Sequence, residues 1–168
     1  MMRRAVKTTR RPEGLADLYS RPGFLLRRGH QIAVGIFVQE CAAVGLTPPQ
    51  HGVLVVVDNA PGLDQAGIAR ALGFDRATTG ALIQGLERRG LLRREDSASD
   101  LRRKALAMTP RGRAMLRRAR SAVRRTSDRL LAPLAPAERR RFVQLLERLT
   151  AALNAASRTP VLPPPLQT

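Results

Sequence analysis

Apolar residues recur at helical spacing from Pro22 onward. Leu25, Ile32 and Ile36 fall on one face, with Phe24 and Phe37 close beside it, so residues 21–45 read as one long helix. In "LTPPQHGVLVVVDNAPG", Thr47 is placed to cap and Pro48 to occupy the first helical position. The run Val53 to Val57 also suits a strand, but the cap and the flanking Pro61-Gly62 favour a helix. Two shorter helices follow. Asp64 opens the first, Ile68 and Leu72 face inward, and Gly73 closes it. Asp75 opens the second, in which Thr79, Leu82, Ile83 and Leu86 sit at i, i+3, i+4 and i+7, and Gly90 stops it. Two helices joined by a tight glycine turn follow the helix-turn-helix plan.

After Gly90 the period shortens. "LLRRED" and "RKALAM" flank the turn-forming "SASD", which predicts a β-hairpin with strands near 91–96 and 103–108. Thr109-Pro110 then opens a long helix to about Leu131, interrupted at Pro133. A last helix covers about 136–156, with Phe142, Leu145, Leu146, Leu149 and Leu153 as its apolar stripe and a weak start at Ala135. The fold class expected is mainly α with a small β-hairpin wing, a winged helix-turn-helix. Residues 1–20 form a basic, flexible N-terminal segment in this reading, and the proline-rich 157–168 an extended tail.

Charge changes the picture. Lys and Arg total 30 against 13 Asp and Glu, a net charge of +17. Only Lys7 and Lys104 are lysines, so the excess is guanidinium. Such a chain attracts a polyanion, although a chain-wide preference for arginine also accounts for part of the excess. Aromatic platforms for stacking single-stranded bases are scarce: Tyr19, Phe24, Phe37, Phe74 and Phe142, with no Trp. The polyanion is therefore expected to be duplex DNA. No apolar run is long enough to span a bilayer and no export signal opens the chain, so the expectation is a soluble, cytoplasmic protein, nucleoid-associated when bound to DNA. The single Cys41 excludes an internal disulfide and a multi-cysteine zinc site. It follows Glu40, which disfavours a thiolate, and reads as a buried apolar residue. No nucleophile elbow, phosphate loop, dinucleotide fingerprint or metal cluster is present, so neither an enzyme nor a cofactor is expected.

"LTPPQHGVL", "PGLDQAGIARALGFDRATTGALIQGLERRGLLRRE" and "DLRRKALAMTPRGRAML" resemble, in order and spacing, the multiple-antibiotic-resistance regulator (MarR) family over residues 21–155. The most specific elements are Asp100-x-Arg102 and Met108-Thr109-Pro110-x-Gly112-Arg113. "RPGFLLRRGHQ" is further similar to a subgroup that regulates catabolism of small aromatic acids. The resemblance implies a homodimer, with an N-terminal dimerisation helix (21–47), a winged helix-turn-helix DNA-binding domain (48–109) and C-terminal dimerisation helices (110–156). It implies a repressor of a pseudo-palindromic double-stranded operator, released by a small aromatic, carboxylate-bearing ligand. An architectural DNA-binding protein without an effector is the alternative.

On this reading the helix from Arg76 to Arg89 enters the major groove. Its outward face holds Arg76, Ala77, Thr78, Gly80, Ala81 and Gln84, with Arg76 suited to guanine, Gln84 to adenine and the Thr78 methyl to thymine. In the wing, Asp100 would hold Arg102 for a narrow minor groove, while Arg94, Arg103 and Lys104 add contacts. Arg111 and Arg113, early in a helix, are unfavourable for its dipole unless phosphate is near. Arg117, Arg118, Arg120, Arg124 and Arg125 read mostly as a solvated face. Arg21, Arg28, His30 and His51 are the ligand candidates, since a guanidinium grips a carboxylate and a histidine can donate to a ring substituent.

Overall fold

The computed structural model describes residues 14–96 and 104–164. Chain order is α1 (Leu15–Ser20), α2 (Pro22–Glu40), α3 (Pro48–Asn59), α4 (Gln65–Leu72), α5 (Arg76–Arg88), β1 (Leu92–Asp96), β2 (Lys104–Met108), α6 (Pro110–Leu131), α7 (Pro136–Ala152) and a single 3-10 turn, Asn154–Ala156. The hairpin is antiparallel, with Leu92 opposite Met108 and Arg94 opposite Leu106. The Leu106 N–H also donates to Leu63 O at 2.9 Å, which ties the segment before α4 to the outer edge of the wing.

The helix starts follow from local chemistry. Thr47 and Gln50 form a reciprocal capping box, with N–H to side-chain oxygen distances of 3.4 and 3.2 Å. Asp64 accepts from Gly67 N–H at 2.7 Å and Asp75 from Thr78 N–H at 2.7 Å. The run Val53 to Val57 is helical, as the cap and flanks favour. Ala135 has no capping side chain, but the Glu138 carboxylate accepts from its N–H at 2.7 Å. Arg139 adds a bond to Leu134 O at 2.8 Å, so α7 is held from inside its own first turn.

Two expectations change. Residues 15–20, read as part of a flexible segment, form α1; Asp17 accepts from Gly14 N–H at 3.3 Å, and the Tyr19 and Phe24 rings lie 5.2 Å apart. The helix expected over 21–45 stops at Glu40 and continues as turns that end at Gly45, whose φ is +63°.

One core joins the elements. Leu54, Ile68, Ile83, Leu86, Leu91 and Leu106 are fully buried, drawn from α3, α4, α5, the wing and the approach to it. Burying each such side chain contributes about 1.5–3 kcal/mol. A smaller cluster of Phe37, Cys41 and Ala122 seats α2 on α6. Beside it Glu40 accepts from Arg125 at 2.9 Å and from Arg129 at 3.3 Å, and the Arg125 bond is the main reason its carboxyl sits below the usual range. Arg125, expected on a solvated face, is therefore part of the α2–α6 joint. Burial raises the Cys41 thiol, the state of an inert apolar cysteine. By contrast α7 has no buried residue: Phe142, Leu145 and Leu149 remain exposed along it, and Leu153 just past its end. No helix of the described residues is long and apolar enough to cross a membrane.

Candidate nucleic-acid interface

Helix α5 presents one face to the core and one to solvent. Thr79, Ile83 and Leu86 are buried and Leu82 half-buried, which leaves Arg76, Ala77, Thr78, Ala81 and Gln84 exposed. The Thr78 hydroxyl is committed to Asp75 at 2.8 Å, so only its methyl is free to touch a base. Asp75 accepts from Thr78 through both backbone and side chain, and these bonds, the backbone one first, lower its carboxyl. The cap thus stays ionised and fixes the first turn of the helix.

Gly80, assigned to the outward face, is turned toward α4 instead. A Cβ there would lie 3.0 Å from Gln65 Nε2, and the same amide donates to Arg76 O at 3.2 Å. Gln65 is therefore a residue of the α4–α5 contact that periodicity did not single out, because its bond is to a residue eleven positions along the chain. Together Gln65, Arg76, Arg94 and Lys104 line a cleft of about 390 Å³ between the helix-turn-helix and the wing. Asp64 lines it too, and Arg94 and Lys104 are paired with Glu87 and Asp96, so the cleft is basic by a modest margin, a surface that a phosphate backbone still suits.

The wing arginines differ in their engagement. Arg94 donates to both Glu87 oxygens, at 3.0 and 3.4 Å, which fastens β1 to α5. Its charge is partly spent before any DNA arrives. Arg93 pairs with Glu95 and Lys104 with Asp96, both at exposed positions. Asp100, Arg102 and Arg103, the central wing candidates, lie outside the described residues. Arg89 is structural, donating to Gly45 O at 2.9 Å and to Gln50 at 3.3 Å.

The segment Thr109-Pro110-Arg111-Gly112 joins wing to long helix. Thr109 Oγ1 donates to Gly90 O at 2.7 Å and accepts from Gly112 N–H at 2.9 Å. A Cβ on Gly112 would overlap the Leu91 carbonyl, so only glycine lets α6 start so close to the wing. Arg111 and Arg113 extend from this first turn into solvent, at the positive end of the helix.

The four ligand candidates do not converge. Leu26, His30, Ala33 and Phe37 are spaced to share one side of α2. His30 lines an apolar cavity of about 440 Å³ with Leu26, Ala33, Leu134, Phe142 and Leu146. His51 lies two turns further along that side, its ring 5.9 Å from Phe37 and its imidazole pushed down by burial. Arg28 is exposed, two residues and so about 200° around α2 from His30. Arg21 occupies the N-cap position of that helix without a capping bond from its side chain. No group of three His, Cys, Asp or Glu side chains among the described residues is placed to hold a metal.

A helix with an exposed polar face, a hairpin wing bonded to it through Arg94 and Glu87, and a basic cleft between them define a winged-helix DNA-binding regulator. The profile of the MarR family matches residues 44–103. A putative transcriptional regulatory protein for the hcr operon of Thauera aromatica is 40% identical over 128 residues, 76% of this chain and 77% of that protein. The structure of the transcriptional repressor CouR bound to a 23-mer DNA duplex aligns over 83% of this chain and 99% of its own, with a TM-score of 0.76 and 35% identity. BpsR of Bordetella bronchiseptica, described in terms of regulation of its DNA binding by 6-hydroxynicotinic acid, aligns over 83% and 97%, with a TM-score of 0.74 and 29% identity. The chain belongs to the MarR family and is a transcriptional regulator.

Proposed function

We propose that the protein is a homodimeric repressor that reads a pseudo-palindromic operator with α5 and releases it when a small aromatic acid binds. The observation that carries the reading is the exposed face of α5, with Arg76 at its first turn opening onto the cationic cleft shared with Lys104 and Arg94. A major groove about 12 Å wide admits such a helix, and a guanidinium pairs with guanine through two bonds. The similarity to CouR, whose structure contains duplex DNA, supports this mode of docking. The dimer rests on α7: a helix whose apolar side chains stay exposed in one chain needs a second surface to cover them. The workplace of such a protein is the cytoplasm.

For the effector, the apolar cavity beside His30 has the size and lining of a small-ligand site, and it lies between α2 and the α6–α7 elbow. An aromatic ring fits its walls, and His30 supplies a polar contact. The likeness to BpsR supports a carboxylated aromatic ligand. His51 stands beside Phe37, two turns of α2 from His30, and is not among the residues that line this cavity. Arg28 and Arg21 remain candidates for the carboxylate only if the ligand reaches the outer rim.

Arg76→Ala tests the core of the proposal. Operator affinity should fall by a factor corresponding to about 1–3 kcal/mol per half-site, and discrimination at one guanine in each half-site should relax. Unchanged affinity in a gel shift at fixed salt would remove α5 from the reading role.

A further inference from the structure

The segment after α7 does not run free. Asn154 Nδ2 donates to Val161 O at 2.9 Å and its Oδ1 accepts from Val161 N–H at 2.9 Å, so one side chain folds the chain back on itself. The returning strand then meets the helix-turn-helix. Thr159 Oγ1 donates to Gly73 O at 2.6 Å, a contact between residues 86 apart, and Leu162 N–H donates to Arg70 O at 2.8 Å. Both acceptors belong to the end of α4, where carbonyls have no partner within the helix. Gly73 has φ +64°, and a Cβ on it would lie 2.9 Å from both Thr159 O and Val161 Cγ2. Thus the turn between α4 and α5 is shaped to accept this strand as well as to end a helix. Thr159, Pro160 and Leu162 form one wall of a groove whose other wall includes Phe74 and Arg76.

We propose that residues 157–164 are a positioning strap, which ties the end of α7 to the α4–α5 turn and so sets where the recognition helix stands relative to the dimerisation helices. The winged helix is otherwise joined to those helices where α6 packs into its core through Met115, Leu116, Ala119 and Val123, and where α3 follows α2. A further tether at the α4–α5 turn, between residues 86 apart in sequence, resists swivel about that joint. The distance and angle between the two recognition helices of a dimer then depend on Thr159, Leu162 and Asn154, which hold the strap in place. The inference rests on α5 being the reading helix.

The experiment compares the full chain with Asn154→Ala, Thr159→Val and a form ending at Ser157. Each is titrated against a single half-site, the full operator, and operators with one base pair added or removed between half-sites. One base pair shifts a half-site by about 3.4 Å and roughly 35°. The expected result is unchanged half-site affinity, full-operator affinity lower by roughly tenfold, comparable to one mismatched base pair, and a flattened preference for the native spacing. Wild-type affinity and spacing preference in all three variants would overturn the strap. An equal loss on half-site and full operator would also overturn it, since the segment would then only support the turn locally. Arg76→Ala is the control. If it binds normally, the reading helix itself is misassigned; if it loses binding while the strap variants match wild type, only the strap falls.

Discussion

Single residues carry constraints here that their types alone do not reveal. Gly112 sits where any side chain would collide with the Leu91 carbonyl and crowd the Met108 sulfur, at 2.7 Å. Because one of the neighbours is backbone, α6 or the wing must move to make room. Gly112→Ala should therefore cost about 1–3 kcal/mol, the range for forcing extra atoms into a packed site, although alanine is the better helix former. Urea unfolding of the variant checks this; a stability equal to or above wild type would contradict the geometry. His51 carries a second constraint. Burial lowers its pKa, so the folded protein holds the neutral ring while the unfolded chain binds a proton near pH 6.5. The folded state then has its full stability above about 6.5 and loses part of it as pH falls from there through the lowered value. Melting temperature should drop between pH 7.5 and 5.5 by more in wild type than in His51→Leu. Parallel curves would show that the imidazole is solvated in the folded state.

Elements were legible where their signals are local. Thr47, Asp64, Asp75 and Thr109 each bond an N–H three residues on, and each was readable as a cap because the chemistry fits inside one turn. The inward face of α5 followed from periodicity for the same reason. What was not legible depends on partners far along the chain: Gln65 under Arg76, Arg89 on Gly45, Glu40 with Arg125, and the tail on Gly73. A proline-rich stretch announces extended backbone, yet nothing in its composition says what it lies against. The arginines make the same point. Their number suggested a polyanion, but Arg89, Arg94 and Arg125 are engaged within the protein. The Arg94–Glu87 tie between wing and α5 is partly exposed, with side-chain exposures of 38% and 25%, so it orients more than it stabilises. A double-mutant cycle with Arg94→Ala and Glu87→Ala should give a coupling of only about 0.2–1 kcal/mol in the free protein. A coupling of several kcal/mol would mean that the wing is held rigidly by this pair.

At the scale of the whole molecule, symmetry multiplies every contact with DNA. Net charge of +17 per chain favours association with any duplex, so affinity alone says little about the interface. The salt dependence says more, because the slope of log K against log salt is about −0.9 per phosphate neutralised. Arg111 and Arg113 stand exposed in the first turn of α6, where a cation opposes the helix dipole unless an anion offsets it. If each meets a phosphate in a two-fold dimer, removing one side chain removes two contacts. Arg113→Ala should then make the slope shallower by about 1.8, whereas a monomer on DNA would change it by about 0.9. The loss should be the same on operator and unrelated duplex, since phosphate contacts carry no sequence information. Arg76→Ala, by contrast, should act on the operator far more than on unrelated DNA. Fluorescence anisotropy over a salt series with both duplexes separates these outcomes. An unchanged slope for Arg113→Ala would place the start of α6 away from the DNA and leave its cations opposing the helix dipole with no phosphate to offset them.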